Sequence, residues 1–251
     1  MSTPPLLQSH ELKQKLLDLG HERYHHKHPF HILMHQGQLT RAQLQAWALN
    51  RYYYQSRIPI KDAIILSRST DAVFRRAWLK RILDHDGVGD QPGGAGDQPG
   101  GIEKWIRLAE ATGVTRDKVV SEQRVLPGVR FAVDAYLELV TKRTLLEAVA
   151  SSLTELFSRD LISLRIDALR QHYPWLESGL MYFQSRLTQA PEDAAFALDY
   201  VTRNAVTREQ QEMVIAALRS KCDILWAQLD AIHYAYVAPG LPPPAVLGID
   251  Y

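Results

Sequence analysis

The sequence predicts an all-α fold, a compact bundle of roughly seven substantial helices, and three observations predict it. Apolar residues recur at steps of three and four along most of the 251 residues, and no segment alternates with the period of a half-buried strand. The connections between periodic segments are short. The clearest segment is the last, where Leu218, Cys222, Leu225, Leu229, Ile232 and Tyr236 form the seam of a helix packed along a neighbour.

Taken in order, the elements follow from their punctuation. Thr40 caps a helix running to about Arg57, and Pro59 suits the first turn of the next. A third helix spans Asp71 to Asp86 and stops at Gly87. Pro127 and Gly128 start a long segment that runs, with a break, to about Leu169. Tyr173-Pro174 ends it, Trp175 to Ala190 reads as a shorter helix, and Pro191-Glu-Asp opens a further one. Residues 88–101 carry Gly-Asp-Gln-Pro-Gly-Gly twice, at 89–94 and 96–101, which reads as an exposed flexible spacer. No strand precedes it and no Gly-Lys-Ser/Thr closes it, so a phosphate loop is not indicated. The Pro- and Gly-rich tail, residues 238–251, reads as poorly ordered. With no linker dividing two cores, residues 1–251 are expected to form one domain.

Composition narrows the classes. Lys and Arg number 29 against 28 Asp and Glu, a net charge of +1, without the basic excess of a nucleic-acid binder. No apolar run reaches the length of a membrane span, and the first residues lack the charged and apolar regions of a secretory signal. One cysteine, Cys222, excludes an internal disulfide framework and fits a reducing compartment, so a cytoplasmic location is expected.

What distinguishes the chain is polar residues on faces that should be apolar. Trp47, Tyr54 and Ile58 share a helical face, and Arg51 and Gln55, one turn apart, flank it. Arg81 and His85 share a face with Trp78; a histidine at a helix end is commonly a dipole partner, but the arginine beside it makes that account incomplete. Glu155, Ile162 and Arg165 follow steps of seven and three, which suggests a buried Glu–Arg pair. Tyr182 and Arg186 repeat the one-turn spacing, and Lys221 sits inside the apolar seam, where a snorkelling lysine is the usual reading. Each alone is weak. Together, Arg81, Arg165, Arg186 and Lys221, with Lys61, and the neutral groups Tyr54, Tyr136, Tyr182, Gln55 and His85 suit a small, polyanionic, aromatic ligand.

The run His21, His25, His26, His28, His31 and His35 invites a metal reading, because Glu22 and His25 have di-iron spacing. Such sites repeat that motif on a second helix and add a glutamate from each of two others. Only Glu155 is well placed, so no metal is assigned. Cys222 occupies a core position and reads as a small buried hydrophobe.

Several motifs resemble those of the pyrroloquinoline-quinone synthase family, in the haem-oxygenase-like group of helical bundles. They are Tyr24-His-His-Lys-His-Pro, Asn50-Arg-Tyr-Tyr-Tyr-Gln with Ile58-Pro-Ile-Lys-Asp, Arg81-Ile-Leu-Asp-His-Asp-Gly, and the stretch Leu126 to Tyr136. Ser151-Ser-Leu-Thr-Glu-Leu-Phe, His172-Tyr-Pro-Trp, Tyr182-Phe-Gln-Ser-Arg and Lys221-Cys-Asp-Ile-Leu-Trp complete the set, which spans about residue 10 to residue 236. The resemblance implies a seven-helix bundle, a homodimer, that closes a ring and removes eight electrons from a bicyclic tricarboxylate quinone precursor. It implies dioxygen as oxidant, hydrogen peroxide as a product, and no metal or organic redox cofactor. It further implies His85 as general acid/base at the dioxygen site, with Tyr182 and Arg186 completing the oxygen pocket. His25, Tyr54, Gln55, Lys61, Arg81, Tyr136, Glu155, Arg165 and Lys221 would hold or deprotonate the substrate. Two departures stand out: Ile162 replaces a usual second pocket histidine, and the duplicated Gly-Pro loop is longer than the family norm. Rival readings are a thiaminase-II-like hydrolase using Cys222, a metal-dependent oxidase, and a non-catalytic quinone carrier.

Overall fold

A computed structural model describes residues 5–89 and 98–239. Among these residues the chain forms eleven α-helices: α1 (Ser9–Arg23), α2 (Pro29–His35), α3 (Arg41–Ser67), α4 (Ala72–Asp86), α5 (Gly101–Ala111), α6 (Arg116–Val120), α7 (Pro127–Lys142), α8 (Leu145–Ala150), α9 (Ser158–His172), α10 (Met181–Asn204) and α11 (Arg208–Tyr236). Short 3-10 segments lie at His25–Lys27, Ser151–Phe157 and Pro174–Gly179. The all-α class holds, with more helices than the seven expected, because several are too short to show a periodic stripe. None is long and apolar enough to cross a membrane.

Capping accounts for most boundaries. Thr40 Oγ1 accepts from the Gln43 amide and the Gln43 side chain accepts from the Thr40 amide, a reciprocal box that Thr144 and Thr207 repeat. Asp71 caps α4, and Gly87 ends it at φ 95°, a conformation in which a side chain is strained.

Two prolines do not do what the sequence suggested. Pro59 lies inside α3 and Pro191 inside α10, and both helices run through. A proline in a helix interior forfeits one backbone bond, at a cost of roughly 3 kcal/mol. Tertiary packing along the 27 residues of α3 and the 24 of α10 offsets that cost. The duplicated loop is only partly seen: Gly87–Val88 (β1) pairs antiparallel with Gln98–Pro99 (β2), and residues 90–97 lie outside the described residues. Most of the tail after Val237, from residue 240 onward, likewise lies outside them.

The core has two main lobes. One gathers Trp47, Trp105 and Phe183 with residues of α2, α9 and the end of α11; the other gathers Phe74 and Trp78 with Leu12, Leu16 and the first half of α11. Tyr54, midway along α3, packs against both. α3 contacts α4, α5 and α7, while α11 lies along α1, α7 and α8, so the long helices form a frame around the middle of the bundle. That middle is not filled.

Candidate active site

Between the lobes lies a cavity that opens to solvent and is lined by both apolar and charged side chains. Helix α3 supplies Trp47, Arg51, Tyr54, Gln55 and Ile58, the face read from its spacing. The N-terminal segment adds Tyr24, His25 and His31, and α4 adds His85. Thr154, Glu155 and Ser158 come from the 3-10 turn and its end, Ile162 and Arg165 from α9, and Tyr182, Phe183 and Arg186 from α10.

Glu155 stands in the 3-10 stretch. Ser151 and Ser158 hydroxyls donate to the carbonyls of Ala148 and Glu155, tightening the chain at both ends of that turn. Glu155 and Arg165 both face the cavity, but ten residues of helix set them about 15 Å apart along the axis, and the predicted pair does not form. Glu155 instead accepts from Arg81 Nη2 at 2.7 Å and from Arg186 Nη2 at 3.0 Å.

These groups belong to a charge-balanced cluster. Arg81 Nε lies 3.5 Å from Asp62 and its Nη1 3.6 Å from Asp193; Arg186 Nη1 lies 3.5 Å from Asp193, and Lys61 Nζ donates to Asp62 at 2.5 Å. Lys61, Arg81 and Arg186 thus face Asp62, Glu155 and Asp193, three cations against three carboxylates. Burial alone would lower the Arg81 pKa and raise that of Glu155; the opposite charges win, and Arg81 is held above its ordinary value and Glu155 below. Asp193 is pushed up to about 6, first by burial and then by the Glu155 charge.

Three further cations are held differently. Arg51, Arg165 and Lys221 have no carboxylate within ion-pair distance among the described residues. Lys221 does not snorkel: it is 1% exposed, donates to Tyr54 Oη at 2.8 Å, and lies 3.3 Å from the Tyr136 ring centroid. Burial, and then the charges of Arg51 and Lys61, lower its pKa well below the ordinary lysine value. Arg165 is pushed down to about 10, by burial first. Arg51 stacks on the Tyr54 ring at 3.9 Å and donates to Gln228.

Of the twelve residues singled out by sequence, His25, Tyr54, Gln55, His85, Glu155, Arg165, Tyr182 and Arg186 line the cavity. Lys61, Arg81, Tyr136 and Lys221 are buried behind that wall, as supports to it. Arg51, Tyr24 and His31 line it as well, and the first reading left them out of the site. Arg51 was recognisable as a cation flanking the Trp47–Tyr54 face, and His31 as one of the histidine run.

His85 lies at the end of α4, on the cavity wall. Its Nδ1 donates to the Arg81 carbonyl at 2.9 Å, one turn back, so Nε2 is the nitrogen left for the cavity, carrying a lone pair. Burial, then the Arg186 charge, push the imidazole pKa down to about 4, so the ring is neutral at pH 7. Tyr182 Oη donates to Gln55 Oε1 at 3.1 Å beside it. Cys222 is fully buried in the second lobe with its thiol pushed up to about 12 by burial, as a core residue would be. Among the described residues no three His, Cys, Asp or Glu side chains are grouped for a metal ion.

Fold and site together define a helical bundle built around a charged internal cavity of small-molecule size. Residues 13–231 match the TENA/THI-4/PQQC family, and the chain belongs to it. It is 54% identical over 246 residues to the pyrroloquinoline-quinone synthase of Acidiphilium cryptum, covering 98% of this chain and 97% of that one. It is 53% identical to the same enzyme of Granulibacter bethesdensis, covering 93% and 89%. Against the bifunctional coenzyme PQQ synthesis protein C/D of Methylorubrum extorquens the identity is 54%, over 95% of this chain and 63% of that longer protein. A domain of unknown function with a heme oxygenase-like fold from Shewanella denitrificans superposes with a TM-score of 0.74 at 13% identity, over 92% of this chain and 94% of that one. That last likeness concerns the fold alone.

Proposed function

We propose that this chain is a pyrroloquinoline-quinone synthase, an oxidase that closes the ring of a bicyclic tricarboxylate quinone precursor and oxidises it. The observation that carries the reading, beside the relatives of that name, is the matching of charge. Two cations that line the cavity, half-buried Arg51 and buried Arg165, and a third buried behind its wall, Lys221, have no carboxylate partner among the described residues, which suits a ligand carrying three carboxylates. A hydrolase working through Cys222 is disfavoured, because that thiol is buried in the core and held protonated.

The chemistry follows from where the groups stand. Cations along the cavity stabilise the negative charge that develops when a C–H bond of the substrate is broken. His85 Nε2 takes the proton, and its Nδ1–H bond to the Arg81 carbonyl keeps the ring aimed. The electron-rich carbanion then passes electrons to dioxygen, which leaves as hydrogen peroxide, with Tyr182 and Arg186 bordering the oxygen site beside His85. His25, neutral because burial and the Arg51 charge lower its pKa, is a second acceptor of protons. The native assembly is a homodimer in the cytoplasm; exposed Phe131 on α7 and a lone, buried, free cysteine are in keeping with both.

Incubating the purified protein with the ring-open precursor and dioxygen should generate the absorbance of pyrroloquinoline quinone together with peroxide. His85→Asn should bind the precursor and stall before full oxidation. Wild-type turnover by that variant removes His85 from the chemistry, and no oxygen uptake by the wild-type chain leaves a carrier rather than an enzyme.

A further inference from the structure

Two kinds of arginine border the cavity. Arg186, like Arg81 behind the wall, is held by carboxylates, which fix its position and cancel its charge. Arg165 is held by a histidine. His31 is 1% exposed, and its Nδ1 lies 3.0 Å from the His25 carbonyl oxygen, an atom that only accepts, so Nδ1 carries the hydrogen. Arg165 Nη2 lies 3.2 Å from both ring nitrogens of His31. A nitrogen at equal, close distance from both cannot lie in the ring plane, where the carbon between them stands, so it sits over the imidazole face. That contact is favourable for a neutral ring and repulsive for a protonated one. Burial, and then the Arg165 charge, keep the His31 ring in its neutral form. The Arg165 Nε hydrogen has no partner among the described residues, although the atom is buried. A buried guanidinium with an unsatisfied donor and no counter-charge is poised for an anion.

Resting on the tricarboxylate reading above, we propose that His31 is a positioning residue that supports the Arg165 guanidinium on its neutral face, holding the cation toward the cavity without neutralising it. A carboxylate at this position would fix Arg165 equally well and would compete with the ligand for it. Isoleucine at 162, one turn before Arg165, offers no such support, so the imidazole that steadies this wall comes from α2.

The test is binding of pyrroloquinoline quinone to the full chain, followed by fluorescence quenching, with thermal denaturation of each variant in parallel. His31→Ala should weaken binding about tenfold. His31→Phe restores a flat face and should return it to within about threefold of wild type. His31→Glu should reduce binding to the level of Arg165→Met, and in the Arg165→Met background none of the His31 changes should matter further. A purely structural role predicts losses that follow melting temperature and add to Arg165→Met; that pattern overturns the proposal. So does His31→Glu binding as wild type or, should that variant not fold, Phe binding no better than Ala. A wild-type chain that does not bind the quinone overturns the functional reading, and this proposal with it.

Discussion

Replacing Lys221 by methionine should make the protein more stable and less able to bind its ligand. The ammonium group is buried and hydrogen-bonded to Tyr54 at 2.8 Å, with the rings of Tyr54 and Tyr136 at 4.3 Å and 3.3 Å. One hydrogen bond contributes about 1 kcal/mol net, and a desolvated cation–π contact about 2 kcal/mol. Removing an ammonium from water costs several kcal/mol even after relaxation. The balance is unfavourable, which is why the Lys221 pKa lies well below the ordinary 10.5. Methionine has nearly the same length and no charge; apolar replacement of even a buried ion pair gains up to about 1–4 kcal/mol, and relief of this unpaired charge is on that order. For a chain of this size each kcal/mol moves the melting temperature by about 2–4 °C.

The pH dependence gives a second check. A lysine whose folded pKa is depressed binds fewer protons folded than unfolded between the two values, so its contribution to stability rises with pH across that window, up to 10.5. Melting curves of wild type should therefore climb more steeply than those of Lys221→Met as pH rises toward 10.5. The variant should bind pyrroloquinoline quinone about tenfold more weakly, since one of three uncompensated cations is gone. A variant that melts lower than wild type, or that keeps the full pH slope, refutes the claim that this charge is held at a cost.

Other consequences can be measured together. Glu155→Gln removes the carboxylate shared by Arg81 and Arg186 and should destabilise by about 3–5 kcal/mol, readable by urea denaturation, because it leaves a buried excess of positive charge. His85 has a folded pKa of about 4 against 6.5, so the unfolded chain binds the extra proton and stability falls as pH drops from 6.5 toward 4. His85→Asn should flatten that part of the acid melting profile. The same shift places the acid limb of kcat/KM, which reports the free enzyme, below that of kcat, where bound carboxylates raise the imidazole pKa. Gly20→Ala should lower stability by about 1–3 kcal/mol, because the added Cβ would stand 2.1 Å from the Phe157 ring. Phe157→Leu should recover part of that loss.

The parts of the fold legible in the sequence are those set by local rules. Thr40 and Asp71 cap helices by bonds within one turn, and the face of α3 from Trp47 to Ile58 follows from 3.6 residues per turn. Pro59 and Pro191 misled because the rule that proline starts a helix is local, whereas the packing that carries α3 and α10 through them is not. At the site, residue types and faces sufficed to gather the polar set, but not to assign partners. Counting along the helix puts Glu155 and Arg165 on one face, as they are, but only the tertiary fold brings Arg81 and Arg186 within reach of Glu155. Lys221 read as snorkelling because nothing local says that α3 and α7 place Tyr54 and Tyr136 over its end. The imidazole pKa of His85 was equally hidden, since it depends on burial and on Arg186, one hundred residues along the chain.

On the proposed function, a division between balanced and unbalanced charge would let one pocket both grip and react. Where Lys61, Arg81 and Arg186 meet Asp62, Glu155 and Asp193, the net charge is near zero, and His85 and Tyr182 stand beside that balanced cluster. A neutral base works there without a strong field pinning its proton. Arg51, Arg165 and Lys221 are uncompensated, and on the proposed function a polyanion would settle toward them, leaving its ring carbons for His85. Had carboxylates also neutralised the second group, the bundle would be more stable, but the ligand would have no reason to lie one way round rather than the other. Orientation therefore rests on charges that the fold keeps at its own expense.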